Sequence, residues 1–278
     1  MLLGSLSAYA SETAAIQVID DSGKTVSILH EPRRIADAWY AHHVLLMTLG
    51  AGSRIVSTVE QVGLPVMRMG YTDLPGLQRS MIATAQALGG EEPRRRAQAY
   101  NAYLDRQLKL VSDKVSAIPM AQRPKVLHIA SVNPLKVDGS DTLIDDWIRI
   151  AGARNAATGL RGNMQIVSAE QVLAWQPDVV ILAAGAGSLD QAAQASLLQQ
   201  LTAVKHQRVL RNPAGVFPWD RYGTEVALQI EWAAQQLHPT RFSDVDMART
   251  TQDFYRKFFD YPLSDADAQR ILLGMAPG

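Results

Sequence analysis

The chain has 278 residues, 47% hydrophobic and 19% charged, which is enough for one large domain or two smaller ones with separate cores. Its formal net charge is zero and it has no long basic run, so its charge indicates no nucleic-acid partner. It has no cysteine, which excludes thiol catalysis, cysteine-based zinc sites, disulfide bonds and the lipidated cysteine of a lipoprotein.

Residues 1–10 read MLLGSLSAYA and are similar to the end of a secretory signal. Ala8-Tyr9-Ala10 has the small-x-small pattern of a signal-peptidase site, although the apolar part is short and a basic start is missing. We interpret the segment as a signal-peptide remnant, which predicts a periplasmic protein. A cytosolic protein with an irregular N-terminus is the alternative.

The region 11–90 alternates between strand and helix patterns. Residues 16–19 and 26–29 flank a turn that contains Gly23, which predicts a hairpin. Three further segments predict strands, the first of them buried: 34–38, 54–59 and 64–69. Two helices are expected, one around residues 44–49 and one that is capped by Thr72 or Asp73 and ends at Gly89.

Residues 91–119 predict one long helix. Apolar side chains recur at steps of three and four, which places them on one face: Ala97, Tyr100, Leu104, Leu108, Val111, Val115 and Ile118. Pro93 is expected at the first helical position, and Pro119 ends the helix. Such a helix would be roughly 40 Å long. We interpret it as a strut between two lobes, and a surface helix within one domain is the alternative.

Strand and helix patterns alternate again in the region 120–278. The predicted strands are 125–130, 179–182 and 208–210. The predicted helices are one capped by Asp141, one opened by Ser168, and the segments 197–204, 224–237, 245–259 and 264–273. Alternation on both sides of the strut indicates an α/β fold with mainly parallel sheets in two lobes. The predicted boundaries are 11–90, 91–119 and 120–278.

Several segments, taken in order, resemble the class III substrate-binding proteins of bacterial ABC importers for iron-siderophore complexes, haem and cobalamin. PRRIADAW (32–39) with LGAGSRIVST (49–58) matches that family's opening strand, helix and strand. DTLIDDWIRIAGARNAA (141–157), VSAEQVLAWQPDVVIL (167–182) and the helices at 228–242 and 254–272 match its second lobe. The resemblance implies two Rossmann-like lobes joined by one long interlobe helix, with the ligand held in the cleft between them.

The first lobe departs from this pattern. Family members carry the segment E-x-x-L-x-x-x-P-D-x-V in each lobe, and here the second lobe has it from Glu170 to Val180. The first lobe has no copy where one is expected, between Val59 and Glu60. We therefore expect a reduced first lobe, which affects one wall of the cleft and the docking acid of that lobe. A truncated relative that does not transport is one alternative.

Candidate ligand-binding residues follow the predicted strands, where open parallel sheets place their sites. They are Trp39, Tyr40, His42, His43, Tyr71, Ser131 and Asn133. Three further candidates lie in a loop rich in aromatic residues: Trp219, Arg221 and Tyr222. His42 or His43 is a candidate metal ligand because histidine ligates transition metals and haem iron. Adjacent residues on a helix point about 100° apart, which disfavours joint chelation, and a pair of polar helix-start residues is the alternative.

Arg221, in an aromatic loop, could grip a carboxylate, a catecholate or an oxyanion. A salt-bridged surface turn with a buried Trp219 is the alternative for this loop. Ordinary turn chemistry is the alternative for Ser131 and Asn133. By resemblance, Glu170 is the second-lobe acid that pairs with arginines of the permease. A helix-start acid favoured by the macrodipole is equally compatible with its position.

Together these observations predict a periplasmic solute-binding protein and not an enzyme. It would capture an iron complex or another metal chelate (siderophore, haem, cobalamin or oxyanion) and deliver it to an ABC importer. We expect no permanently bound cofactor, a monomer, and an inner-membrane permease as partner. A two-lobe α/β enzyme is the alternative, but it requires an acid–base pair or a metal triad, and the sequence pattern assembles neither.

Overall fold

The computed structural model of the protein describes residues 15–57 and 66–275. The predicted signal remnant lies outside this range, as does the junction between Val59 and Glu60. The first part of the chain contains β1 (Ile16–Ile19), β2 (Thr25–Ile28), β3 (Ile35–Ala36), α1 (Tyr40–Thr48), β4 (Ile55–Ser57), α2 (Leu74–Leu88) and α3 (Glu91–Val115).

The second part follows α3. It contains β5 (Lys125–Val132), β6 (Leu135–Val137), α4 (Leu143–Ile150), β7 (Arg154–Asn155), β8 (Gln165–Ile166), α5 (Ala169–Trp175), β9 (Val179–Leu182), α6 (Ala195–Leu198), α7 (Thr202–Lys205), β10 (Val209–Arg211), α8 (Val226–Leu237), α9 (Met247–Phe258) and α10 (Asp265–Leu272). No helix within the described ranges has the length and apolar composition needed to cross a bilayer.

The sheets confirm the predicted α/β class. In the first part β1 pairs antiparallel with β2, and β3 pairs parallel with β4. The second part has a six-stranded sheet in the order β10-β9-β5-β6-β8, with β7 paired to the start of β5. Its centre is parallel, from β10 through β9 to β5, and β6 and β8 add antiparallel strands at one edge.

Helix α3 is the predicted strut, with shifted ends. It starts at Glu91, so Pro93 takes the third helical position, and it ends at Val115, four residues before Pro119. The predicted apolar face is buried at six of its seven positions, whereas Leu108 is half-buried. One continuous core joins this face to α1 and α2 on one side and to α4, α8 and α9 on the other. A smaller core covers the opposite face of the sheet.

Two predicted elements of the first part are wrong. The buried strand at 34–38 is the two-residue β3, whose residues are half-buried or exposed. Residues 66–70 form no strand. Their backbone hydrogen-bonds the turn of the β1–β2 hairpin instead, because Arg68 N–H donates to Asp20 Oδ2 at 3.1 Å and Gly70 N–H donates to Asp21 Oδ2 at 2.7 Å.

Two helix predictions of the second part also need correction. Asp141 does not cap α4. Its φ of 59° lies in the left-handed region, and the cap is the next residue. Thr142 is the cap, and its side chain accepts from Asp145 N–H at 3.0 Å. The helix predicted at 197–204 is divided into α6 and α7.

Candidate ligand-binding cleft

A cleft of about 530 Å³ is lined by residues that precede α3 in the chain and by residues that follow it. Its lining residues are Trp39, Gly70, Tyr71, Thr72, Asp73, Arg79, Asn163 and Tyr222. Two of the lining residues lie at helix starts: Trp39 is the N-cap of α1, and Asp73 is the N-cap of α2. The cleft brings together three of the predicted ligand-binding residues, Trp39, Tyr71 and Tyr222.

Tyr222 is at the centre of the cleft. Its ring centroid lies 5.5 Å from that of Trp39 and 5.7 Å from that of Tyr71. The Tyr71 hydroxyl donates to the Tyr222 carbonyl oxygen, and Asn163 Nδ2 donates to the Tyr222 hydroxyl. Burial, helped by Tyr222 and Asp21, raises the pKa of Tyr71, so this hydroxyl keeps its proton. Trp39 is exposed and Tyr222 is half-buried, so these two rings form an aromatic surface on which a flat group can stack, and the buried Tyr71 ring supports Tyr222 from behind.

Arg79 supplies the positive charge of the lining. It is exposed on α2, and no carboxylate in the described part of the chain forms an ion pair with it. Asp73, the acid of the lining, accepts from Gly76 N–H at 2.7 Å in its role as helix cap. The Arg79 guanidinium is therefore available to donate to an anionic ligand.

Arg221 lies beside the cleft and does not line it. Its two terminal nitrogens each lie 3.1 Å from an oxygen of Asp138, and its Nε lies 3.6 Å from Asp220. Burial opposes the charge of Arg221, but the two aspartates outweigh burial and raise its pKa. Trp219 is fully buried, and its indole N–H donates to Glu225 Oε1 at 3.2 Å. The sequence predicts that the Arg221 guanidinium binds an anionic ligand, but in the structure it binds Asp138. Direct contact between Arg221 and a ligand stays a prediction.

The predicted histidine pair lies at the start of α1 beside Asp37. His43 Nδ1 lies 3.0 Å from Asp37 Oδ2, and His42 Nδ1 lies 3.9 Å from Asp37 Oδ1. Burial lowers the pKa of His42 despite the charges of Asp37 and Asp21. Tyr40 is exposed, with its ring centroid 6.0 Å from that of His43. In the described ranges, no group of three or more histidines or acids is placed to hold a metal ion.

Ser131 and Asn133 lie at the end of β5, where Asn133 N–H donates to Ser131 Oγ at 3.3 Å. Asn133 lines a separate depression of about 230 Å³, together with Ala169 and Gln194. Glu170 is exposed beside it in the first turn of α5, and Gln194 Nε2 donates to Glu170 Oε1 at 2.8 Å. The structure thus groups Asn133 with the predicted docking acid and apart from the aromatic cleft.

The sequence reasoning missed Arg79, Asn163 and Asp138. Arg79 lies six residues after Asp73, one of the two predicted caps of α2, and that spacing does not place the two side chains on one helix face. Asn163 reaches the cleft through a loop in which Met164 has a φ of 58°, and no motif marks that loop. Asp138 follows β6, a three-residue strand with no recognisable pattern.

The chain belongs to the periplasmic binding protein family, whose model matches residues 54–214, more than half of the chain. Among curated proteins, it is similar to the molybdate-binding protein MolA of Haemophilus influenzae, with 29% identity over 154 residues. That alignment covers 54% of this chain and 43% of the relative's length. The predicted family is therefore confirmed.

Solved structures of the same class share the fold. A periplasmic solute binding protein from Veillonella parvula superimposes with a TM-score of 0.78 at 22% identity, covering 93% of this chain and 97% of its own. Molybdate-bound MolA of Haemophilus influenzae has a TM-score of 0.79 at 18% identity, covering 89% and 99%. Helicobacter pylori CeuE with bound Ni(II) has a TM-score of 0.73 at 15% identity, covering 92% and 99%. These identities support the fold alone.

Proposed function

We propose that the protein captures a metal complex in the aromatic cleft and delivers it, unchanged, to an ABC importer from the periplasm. The observation that carries this proposal is the meeting of Trp39, Tyr71 and Tyr222 in one cleft from distant parts of the chain. In this proposal the protein acts as a monomer, performs no chemistry on its ligand and has the importer's permease as its partner.

The size and chemistry of the cleft favour an organic metal complex. A volume of about 530 Å³ lies within the range of pockets for drug-sized ligands. The rings of Trp39 and Tyr222 can stack on flat groups, such as a catecholate or a tetrapyrrole. Arg79 can donate two parallel hydrogen bonds to a carboxylate or catecholate of the same ligand. Catecholate siderophore complexes and haem combine these features.

A bare oxyanion is the second candidate. The similar MolA protein is named as molybdate-binding, and the donors Arg79 and Asn163 line the cleft here. A tetrahedral oxyanion is much smaller than the cleft and has no flat face for the aromatic rings. It would therefore rely on these donors and leave most of the aromatic surface unused.

A thermal-shift screen tests the proposal. The ligands are haem, cobalamin, ferric catecholate and hydroxamate siderophores, and molybdate. We expect one class of metal complex to raise the melting temperature of the wild type, because a ligand that binds only the folded state stabilises it. The same ligand should have a much smaller effect on Tyr222→Ala. A shift with molybdate alone would favour the oxyanion, and no shift with any ligand would contradict the proposal.

Glu170 is proposed as the docking acid towards the permease. Replacing Glu170 by alanine is expected to abolish detectable stimulation of the cognate transporter's ATPase and to leave ligand affinity unchanged, because the residue is exposed and lies outside the cleft lining. Asp113→Ala, which removes an exposed acid of α3, is the control and should stimulate normally. Normal stimulation by Glu170→Ala would leave its place in the first turn of α5 as a sufficient explanation of this acid.

A further inference from the structure

A histidine is buried between two aspartates next to the cleft. His128, on β5, has its Nδ1 2.7 Å from Asp138 Oδ2 and its Nε2 2.8 Å from Asp220 Oδ2. All three side chains have no solvent exposure. The ring of Trp147 packs edge-on against the imidazole, with centroids 6.0 Å apart. Such burial without compensation would strongly disfavour any charge.

Geometry defines the charge of His128. A neutral imidazole carries a hydrogen on one nitrogen only, so its other nitrogen would direct a lone pair at a carboxylate. Both nitrogens of His128 lie within 2.8 Å of a carboxylate oxygen, although only the Nδ1 contact has hydrogen-bond geometry. With an acid on each side of the ring, the doubly protonated imidazolium matches the site. Arg221 completes the cluster through its two contacts with Asp138. Two positive and two negative groups then sum to zero, which suits a buried site.

The cluster is connected to two segments that line the cleft. Asp138 Oδ1 accepts from Met164 N–H at 2.9 Å, and Met164 directly follows Asn163. Asp138 also accepts both contacts of Arg221, which directly precedes Tyr222. Asn163 and Tyr222 are hydrogen-bonded to each other across the cleft lining. One buried carboxylate therefore contacts the direct sequence neighbours of both cleft residues.

We propose that His128 is a charged positioning residue for the cleft: through Asp138 and Asp220 it holds the segments of Asn163 and Tyr222 in register. The charged groups that face it are Asp138 after β6, Asp220 in the loop before α8 and, one step further, Arg221. This inference rests on the proposed function, because it gives the cleft its shape. The charge state and the hydrogen bond between Asn163 and Tyr222 can nevertheless be tested without any ligand.

Nuclear magnetic resonance of histidine-labelled protein tests the charge state. Both ring nitrogens of His128 should keep imidazolium shifts through the pH range in which an ordinary histidine loses its proton. One unprotonated ring nitrogen at neutral pH would overturn the assignment.

The positioning role is tested with His128→Gln and with the double variant His128→Gln/Asp220→Asn, which restores zero net charge in the cluster. The readout is the side-chain amide resonance of Asn163. It should move in His128→Gln and return towards its wild-type position in the double variant. His238→Gln, which removes a half-buried histidine bonded to Gly152, is the control and should leave it unmoved. An unmoved resonance in folded His128→Gln, or equal movement in the control, would overturn the proposal.

Binding of an iron(III) tris(catecholate) complex and of sodium molybdate provides a second readout. For a probe that the wild type binds, affinity should fall at least about tenfold in His128→Gln and be unchanged in His238→Gln, a difference of about 1.4 kcal/mol. Undiminished affinity in His128→Gln would overturn the positioning role. If the wild type binds neither probe, the Asn163 resonance alone decides the inference, and the full ligand screen decides the proposed function.

Discussion

Replacing Asp138 by asparagine is expected to lower the free energy of unfolding by about 3–5 kcal/mol, because it leaves buried positive groups without their partner. Asp138 has no solvent exposure and contacts both His128 and Arg221. Burial opposes its charge, but His128 and Arg221 outweigh burial and hold the pKa of its carboxyl well below the ordinary range. Urea unfolding of the two proteins provides the measurement.

The matched control for this prediction is Asp141→Asn. Asp141 forms an ion pair with Arg161, but the two side chains are 62% and 84% exposed. Screening by water makes such a pair worth less than about 1 kcal/mol. Equal losses in Asp138→Asn and Asp141→Asn would show that the buried cluster does not stabilise the fold.

The loss of stability caused by Asp138→Asn should become smaller at both low and high pH. The lowered pKa of Asp138 means that its contribution is present above its unfolded value of 3.8 and is lost as the pH falls through its folded pKa. Burial lowers the pKa of His128, but its two aspartates outweigh burial and raise it. Its contribution is therefore present below 6.5, its ordinary pKa, and is lost as the pH rises through the raised value. The penalty should be largest between these limits.

Proline in place of Leu108 is expected to cost about 3 kcal/mol or more, because it removes a hydrogen bond inside α3 and its ring clashes with the preceding turn. Leu108 is half-buried, so Leu108→Ala keeps the backbone intact and should cost clearly less. Helix α3 packs into the core shared by α1, α2 and α8, so unfolding of the proline variant should affect both parts of the chain. Thermal unfolding followed by near-ultraviolet circular dichroism measures this, and similar losses in both variants would contradict it.

Local patterns predicted the helices of this fold well. The apolar period of α3, the cap of α2 at Thr72 or Asp73 and the start of α5 at Ser168 are all predictions from neighbouring residues. The structure has the apolar period, and it has Asp73 and Ser168 as the caps. The strand prediction at 64–69 was wrong because the backbone of this segment pairs with residues that are distant in sequence. Its backbone partners Asp20 and Asp21 lie almost fifty residues away, and local sequence contains no information about them.

In the candidate site, too, local patterns indicated some residues, whereas others depend on contacts between distant parts of the chain. Trp39, Tyr71 and Tyr222 meet in one cleft as predicted, although residues 66–70 before Tyr71 do not form the strand from which it was selected. Arg221 was also selected from its local pattern, yet its guanidinium binds Asp138, which is 83 residues earlier. A local pattern can indicate that an arginine lies near a site, but the acid that neutralises it depends on tertiary pairing. The sequence therefore predicted the aromatic surface and missed the buried charge cluster beside it.

We propose that the cleft around Tyr222 binds the transported solute. Isothermal titration calorimetry tests this most directly, with an iron(III) tris(catecholate) complex titrated into wild type, Tyr222→Ala, Arg79→Ala and the control Arg95→Ala, which alters an exposed ion pair on α3. We expect one site in the wild type and in the control, with affinity lower by about 1.5–3 kcal/mol in Arg79→Ala, the range for a charged hydrogen bond. Binding should be weaker still in Tyr222→Ala, because the central ring of the aromatic surface is lost. Equal affinities in all four proteins would place the ligand outside this cleft and overturn the proposed site.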